Sequence, residues 1–286
     1  MPLVKTGRII YNLVVLLLFA DAGTLQAGNE SNFFGPRAFS AGQVSSLFCD
    51  VWSVQNNPGA LGYLGRNAAA VSYERRYSAF SMLAFSAAGQ YKNWGTFGLA
   101  ASRFGPDFFN QSRAGISWGK SFGIASVGLQ GQWYQVSSKD FNSRHYFLLN
   151  FGGIARLGDK LRFSGCISNL SQTKTGENET RVLPTVLKAG ISLQANSNLL
   201  LMAELQKDLD EKAGLNAAAE YRFAKNCFAR TGFSTLNRTG SIGIGISWRD
   251  MQLDFGSSWH AELGFSQCIG LQYLFGKPHS GKEAKP

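Results

Sequence analysis

Histidine and cysteine side chains could bind a metal or supply a nucleophile and its base, so their spacing comes first. In chain order they are Cys49, His145, Cys166, Cys227, His260, Cys268 and His279. The histidines are not spaced as metal ligands, and no two cysteines form a CxxC pair. The GxSxG motif of a nucleophile elbow is absent. The sequence therefore predicts no enzyme, no metal site and no cofactor.

The charged residues form a second candidate set, because many of them alternate with apolar side chains. Between residues 241 and 249, Ile242, Ile244 and Ile246 share one face of a strand, while serine and glycine occupy the other. Charges on the polar face of such segments are Glu74, Arg113, Arg162, Lys188, Glu204, Glu220, Arg222, Arg230 and Asp254. The apolar face carries almost no charge, so we predict that these nine residues point into the lumen of a barrel whose apolar face meets lipid.

The connections between these segments follow a rhythm of their own. Fourteen short segments of period-two hydrophobicity lie between residues 67 and 275. Tight connections at 92–95, 158–160 and 195–198 alternate with longer, polar ones at 137–144 and 171–184. This alternation is typical of bacterial outer-membrane barrels. A secreted soluble barrel or sandwich is the alternative, but a charge-free apolar face suits lipid, where a cation at mid-bilayer costs about 2–4 kcal/mol.

The N-terminus has the pattern of a secretory signal peptide. Lys5 and Arg8 precede an apolar run over residues 9–20, which is too short to span a bilayer. We predict a signal peptide over 1–27, cleaved at about residue 22 or 27, rather than a retained helical anchor. Residues 28–65 then form an N-terminal hatch or periplasmic segment, 66–275 a transmembrane β-barrel, and 276–286 a disordered periplasmic tail.

Composition supports an exported, closed β-structure. The chain has 33 glycines, only 7 prolines and 13% aromatic residues, which fits crowded strand positions and aromatic girdles. The net charge of +10 does not indicate nucleic-acid binding, because the basic residues are scattered and do not cluster with stacking aromatics. The predicted location is the cell outer membrane, with both termini periplasmic and with lipid as the first partner.

A short motif before the first strand carries a family resemblance. Gly35, Arg37, Ala38 and Gly42, followed by the run DVWSVQNNPGAL over 50–61, resemble the N-terminal segment of the FadL-like barrels of Bacteroidota, of the PorV/PorQ type associated with type IX secretion. The order of Gly59 and Ala60 departs from the usual asparagine-proline-alanine-glycine pattern. The resemblance implies fourteen strands and a hatch in the barrel mouth. The hatch-motif residues it implies are Gly35, Arg37, Gly42, Asp50, Asn56, Asn57, Pro58 and Leu61.

Two functions follow as hypotheses. The predicted external loops at 104–112, 137–144, 171–184, 207–213, 235–240 and 257–262 are short and mostly polar. Such loops have too few residues to form an apolar site that captures a ligand outside the barrel. This favours a structural or accessory subunit of an outer-membrane secretion or assembly machinery, with outer-membrane protein partners. The alternative is a FadL-like channel for passive uptake of small hydrophobic molecules. A general porin is a weaker third option, because a hatch and lumen charges would fill the barrel.

Overall fold

The computed structural model describes residues 33–139, 141–174, 183–209 and 211–278. The predicted signal peptide, the first residues of the predicted hatch and His279 lie outside the described residues. So does most of the predicted tail, and so does the middle of the predicted loop at 171–184.

The described chain folds into one closed sheet. It contains fourteen strands, and each pairs with its sequence neighbours in antiparallel fashion. They are β1 (Asn67–Arg76), β2 (Phe80–Tyr91), β3 (Gly95–Phe104), β4 (Phe109–Phe122), β5 (Ala125–Ser138), β6 (Phe141–Leu157), β7 (Leu161–Ser168), β8 (Val186–Gln194), β9 (Leu199–Asp208), β10 (Gly214–Ala224), β11 (Cys227–Ser234), β12 (Thr239–Trp248), β13 (Met251–His260) and β14 (Gly264–Phe275). The prediction of a closed, fourteen-stranded antiparallel barrel is confirmed.

The first and last strands close the barrel. β1 pairs with β14 from Asn67 opposite Phe275 to Arg75 opposite Gln267. Closure leaves no unpaired strand edge, which is the condition for placing a sheet in lipid. We call the end that holds Asn67 and Phe275 the terminal end, and the opposite end the loop end.

Connection lengths correct part of the sequence-based picture. The connections at the terminal end are tight, and the loop end has one long connection, 169–185. The external loops predicted at 104–112, 137–144 and 257–262 are wrong in their extent, because strands occupy most of those residues. Gln135 pairs with His145 and Val136 with Arg144. Polar residues there still extend the ladder, since backbone pairing does not require an apolar side chain.

The outer surface of the barrel is apolar over a broad band. Alternate residues of the strands, such as Leu83, Ile116 and Ile242, are more than half exposed. Exposed aromatic residues near the terminal end are Tyr91, Trp94, Phe122, Phe223 and Trp248. This arrangement matches the lipid-facing band and aromatic girdle of a transmembrane barrel. No helix in the described part of the chain is long and apolar enough to cross a bilayer.

Residues 33–64 lie inside the barrel, and we call them the plug. They contain two short α-helices, α1 (Pro36–Ser40) and α2 (Ser53–Asn56), and a 3₁₀-helix, η1 (Pro58–Tyr63). Helix α1 packs against β11–β14, α2 against β2–β4, and η1 against β3–β6. The plug is buried almost throughout, so it fills the lumen.

Glycines in the strands make room for the plug. At nine of them an added methyl group would collide with plug atoms or force them to move. These wall glycines are Gly98, Gly119, Gly128, Gly152, Gly190, Gly232, Gly243, Gly256 and Gly270. Missing side chains at these positions let the plug backbone approach the wall closely. Close packing against the plug thus explains these nine strand glycines.

Candidate functional site: the plugged lumen

All nine charges predicted to face the lumen lie on the inward side of their strands. Each shares the phase of buried small or polar residues in its strand. Six of them are buried, namely Glu74, Lys188, Glu204, Glu220, Arg230 and Asp254, and the other three are partly exposed. Buried charges are stable only when they are paired and hydrogen-bonded, so their partners define the site.

The largest ionic cluster joins the plug to the wall. Arg37 of α1 donates two hydrogen bonds to Glu220 of β10, from Nε at 2.9 Å and from Nη2 at 2.6 Å. Arg230 of β11 donates from Nε to the same carboxylate at 2.5 Å and also pairs with Asp254 of β13. One plug arginine therefore shares a buried carboxylate with a wall arginine, in the bidentate geometry of strong ion pairs.

Other plug residues surround Arg37. Its guanidinium lies 3.6 Å from a carboxylate oxygen of Asp50 and 4.3 Å from the ring centre of Phe48. Burial lowers the pKa of Arg37, but the carboxylates of Glu220 and Asp50 outweigh burial and raise it. Burial raises the pKa of Asp50, and the positive charge of Arg37 opposes that rise. The predicted motif residues Arg37 and Asp50 thus stabilise each other's charge inside the plug.

A second polar junction forms around Glu204 of β9. The backbone N–H groups of Ser45 and Ser46 donate to its carboxylate at 3.1 and 2.7 Å. Lys188 of β8 donates to the Ser45 hydroxyl at 2.7 Å. The Ser46 hydroxyl lies 2.7 Å from that of Ser164 on β7. A turn of the plug is therefore anchored to three neighbouring strands.

The two asparagines of the motif hold the plug backbone. Asn56 accepts a hydrogen bond from the Phe34 N–H at 2.8 Å and donates to the Phe34 carbonyl at 2.9 Å. Asn57 donates to the carbonyls of Ser46 and Gly153 at 2.8 and 3.2 Å, and it accepts from the Gly59 N–H at 3.1 Å. Asn56 closes the plug on itself, whereas Asn57 also ties it to β6.

The other motif residues serve packing and chain direction. Pro58 begins η1 and lies directly against the wall glycines, and Leu61 is fully buried. Gly35 and Gly42 have φ values of 89° and 58°, a region that side chains disfavour. A Cβ atom on Gly35 would lie 2.6 Å from the ring of Trp52. These residue types follow from the tight path of the plug.

The remaining predicted charges do not join the two main junctions. Glu74 pairs with Arg76 at the loop end of β1. Arg113 lies 4.9 Å from the ring centre of Tyr134. Arg222 lies 5.6 Å from the ring centre of Phe228. Arg162 of β7 stands opposite Arg156 of β6 at the terminal end. The charges predicted as one set therefore fall into several separate groups.

Sequence reasoning missed an uncharged polar chain between α2 and the wall. Ser117 of β4 and Gln130 of β5 both donate to the Val54 carbonyl at 2.7 Å. Asn150 of β6 donates to Gln130 at 2.6 Å and accepts from the Asn169 N–H at 2.8 Å. Strand phase marked these side chains as polar, but only the fold brings them to the plug.

The terminal-end mouth of the lumen is basic. Burial raises the pKa of the Cys49 thiol, and the nearby positive charges of Arg162 and Arg156 oppose that rise. Tyr63 lies under the Arg156 guanidinium, with 3.8 Å from its ring centre to the guanidinium carbon. Within the described ranges, no three His, Cys, Asp or Glu side chains converge as a metal site.

An apolar groove of about 420 Å³ lies on the outer wall across β2–β6. Its floor consists of small residues, Ala101, Ala114 and Gly131, and its rim includes Phe85, Trp133 and Phe147. Inward-facing Ala100 and Gly115 also line it, so the wall is thin at this place. Pairing between β3 and β4 is continuous there, so the groove is blind in this structure.

Known structures share this fold over most of the chain. The toluene transporter TbuX of Ralstonia pickettii matches with a TM-score of 0.66 and 13% identity, covering 87% of this chain and 100% of that one. The monoaromatic hydrocarbon channel CymD gives 0.66 and 12%, covering 88% and 100%. A mutant of the monoaromatic hydrocarbon channel TodX gives 0.64 and 10%, covering 85% and 99%. No family model matches the sequence, and no curated protein matches it.

These likenesses concern the fold. They support the FadL-like barrel fold that the N-terminal motif predicts. The finer resemblance to the PorV/PorQ type stays a prediction, as does the role of the motif residues.

Proposed function

We propose that the barrel is an outer-membrane channel for the passive passage of small hydrophobic molecules, closed in this structure by the plug. The likeness of nearly the whole chain to structures described as a toluene transporter and a monoaromatic hydrocarbon channel carries this proposal. It favours the transport alternative over the accessory-subunit function that the short loops suggested. The apolar outer band supports the membrane location.

The way the plug is held fits a gate. Its attachments to the wall are apolar contacts, hydrogen bonds and ion pairs, such as those at Glu204 and Glu220, and no disulfide joins the two among the described residues. Polar contacts can be exchanged for water when a segment moves, because the net contribution of a hydrogen bond is only about 0.5–1.5 kcal/mol between neutral groups and about 1.5–3 kcal/mol with a charged one. The plug can therefore detach in steps. The outer groove offers a hydrophobic molecule an apolar place beside the thin wall.

A reversible tether of the plug tests the proposal. The hydroxyls of Ser46 and Ser164 lie 2.7 Å apart, so the double variant S46C/S164C places two thiols within bonding reach. Oxidation should tie the plug to β7 and abolish uptake of labelled toluene by cells that express the variant. Reduction should restore uptake to the wild-type level.

Matched controls distinguish the effect of the plug–wall disulfide from other effects of the oxidant. Each single variant and the wild type receive the same oxidant, because Cys166 lies in the same strand and the native thiols are unpaired in the described structure. If oxidation leaves uptake unchanged although the bond has formed, passage does not need plug movement. If no variant and no wild-type protein raises uptake above cells with an empty vector, the channel proposal fails.

An accessory role in protein secretion or assembly is the second candidate. The observation that favours it is the near absence of loop-end structure beyond 169–185 in the described residues, which leaves little above the lumen to capture a ligand. The PorV/PorQ-like motif points the same way. Extraction in mild detergent and mass spectrometry should then recover a stable outer-membrane protein partner. Recovery of a lone monomer would contradict this candidate.

Orientation remains part of the proposal. We place the terminal end on the periplasmic side, as short connections are expected there. An epitope inserted at 158–160 should stay hidden on intact cells, whereas one inserted at 169–185 should be labelled. The opposite labelling would reverse the assignment.

A further inference from the structure

Two arginines stand side by side at the terminal end of the lumen. Arg156 of β6 and Arg162 of β7 are direct partners across the ladder, and both point inward. Like charges opposite each other destabilise a strand pair, so this arrangement costs stability unless something negative lies between them. Among the described residues, no carboxylate lies within 4 Å of either guanidinium. The nearby Asp50 faces Arg37 instead.

The position of the Arg156 guanidinium is set by the plug. It stacks on the ring of Tyr63, 3.8 Å from the centre, and the Tyr63 hydroxyl donates to the Gly123 carbonyl at 3.3 Å. Its Nε and Nη2 atoms are buried and have no hydrogen-bond acceptor in the structure. A buried donor without an acceptor is costly, about 1–3 kcal/mol and more for a charged group. The edge that carries these two atoms is therefore held ready for an acceptor.

The same lumen shows what this edge of a guanidinium binds. Arg37 uses its Nε and Nη2 to hold the two oxygens of Glu220, at 2.9 and 2.6 Å. A carboxylate matches the spacing of these two nitrogens, which is why the pair forms two parallel bonds. Arg156 presents an identical pair of donors with a second positive charge beside it, but the described protein supplies no carboxylate.

We propose that Arg156 and Arg162 form a carboxylate-binding site at the terminal end of the lumen, and that its ligand is a small organic monocarboxylate. Arg156 binds both oxygens through Nε and Nη2, while Tyr63 fixes the plane of the guanidinium. Arg162 adds attraction from the neighbouring strand. This site is distinct from transport of neutral hydrocarbons and does not depend on it.

Binding of labelled benzoate to the purified full-length protein in detergent tests the site. Saturable binding is expected, and R156Q should weaken it roughly tenfold to a hundredfold, because it removes two charged hydrogen bonds. R156K keeps the positive charge but loses the two parallel donors of the guanidinium, so it should bind benzoate more weakly than the wild type and better than R156Q. R162Q should weaken binding to a smaller degree.

The matched control is R249Q. Arg249 also lies at the terminal end, in the exposed turn between β12 and β13, and packs on an aromatic ring, that of Trp248. This substitution should leave benzoate binding unchanged, and thermal unfolding would verify that every variant is folded. Competition separates a carboxylate from other acceptors. Acetate should displace benzoate, whereas benzyl alcohol should not.

Three results would overturn the proposal. They are the absence of saturable benzoate binding, equal binding by R156Q and the wild type, and displacement by chloride or phosphate as effective as by acetate. The first two would indicate that internal water satisfies Arg156, and the third would indicate unspecific anion adsorption. Because no flux is measured, failure here leaves the channel proposal untouched. Failure of toluene uptake likewise leaves the carboxylate site standing.

Discussion

The two sides of the lumen hold the plug by different means. On the β1–β3 side, plug residues such as Trp52 and Val54 pack in one apolar cluster with Ala68, Ala84 and Ala88 of the wall. On the β8–β13 side, the wall presents lysine, arginine and carboxylates, and the plug answers with Arg37 and backbone N–H groups. The first side depends on apolar packing, whereas the second adds charge pairing to an apolar cluster that includes Met202 and Ala218 of the wall.

The difference shows how a polar lumen and a stable plug are compatible. An alanine wall excludes water and gains stability in proportion to the area removed from it. A buried ionic wall contributes less net stability than its short distances suggest, because desolvation offsets the attraction. Removal of one partner of such a buried pair is nevertheless severely destabilising, because the other charge is left buried and unpaired. The charged side is therefore the one where a single substitution can release the plug.

The largest effect is expected for E220Q. The change leaves Arg37 and Arg230 with one neutral acceptor in place of a shared carboxylate, and breaking a buried pair in this way costs about 3–5 kcal/mol. Hydrogen exchange of amides in 36–50 should report a drop of that size in the free energy of local opening. Ion conductance through single channels in planar bilayers should rise in parallel.

A matched control for this experiment is E262Q, at an exposed position in the connection between β13 and β14. Exchange in the plug should be the same as in the wild type. If E220Q also left exchange unchanged, charge pairing would not be what holds this side of the plug.

A smaller effect is expected on the apolar side for A88L. Ala88 is buried against the plug, so the larger side chain overpacks the cluster, at a cost of about 1–3 kcal/mol. The midpoint of thermal unfolding in detergent should fall. A87L provides the control, because Ala87 lies on the opposite face of the same strand. Equal loss in both variants would mean that strand propensity, not plug packing, is responsible.

The smallest effect is expected outside the lumen. Arg103 and Asp107 form an ion pair of 3.0 Å near the loop end, but both side chains are largely exposed. Solvent and salt weaken such pairs, so D107N should not change the unfolding midpoint measurably. A clear loss would show that the contrast between the two sides of the lumen reflects charge in general rather than burial.

The fold was accessible from the sequence because the physics of each strand is local. Alternation around Ile242 and Ile246 reveals which face meets lipid, and tight turns such as 158–160 mark the strand ends. The loop end was harder to predict. Residues 137–144 are mostly polar and look like a loop, yet the ladder between β5 and β6 continues as far as the pair Ser138 and Phe141. Where strands extend beyond the lipid, their side chains can be polar on both faces, so polarity does not indicate where backbone pairing between strands ends.

Only part of the candidate site could be predicted from the sequence. Strand phase identified Glu220 as a lumen charge, and the motif singled out Arg37, but nothing local connects residues 183 positions apart in the sequence. Arg156 was missed because its strand was not among the clearest alternating segments. The partner of a lumen charge is decided by barrel register and plug path, which emerge only when the sheet closes.

The plug also spans the joint where the barrel closes. Pro36 lies against Gly270 of β14, while Phe34 belongs to the cluster that includes Ala68 and Ala70 of β1. One short segment thus contacts both β1 and β14, the first and last strands, which pair to close the barrel. It works as an internal brace across the seam of the barrel, so loss of these plug contacts would remove support from β1 and β14 at once.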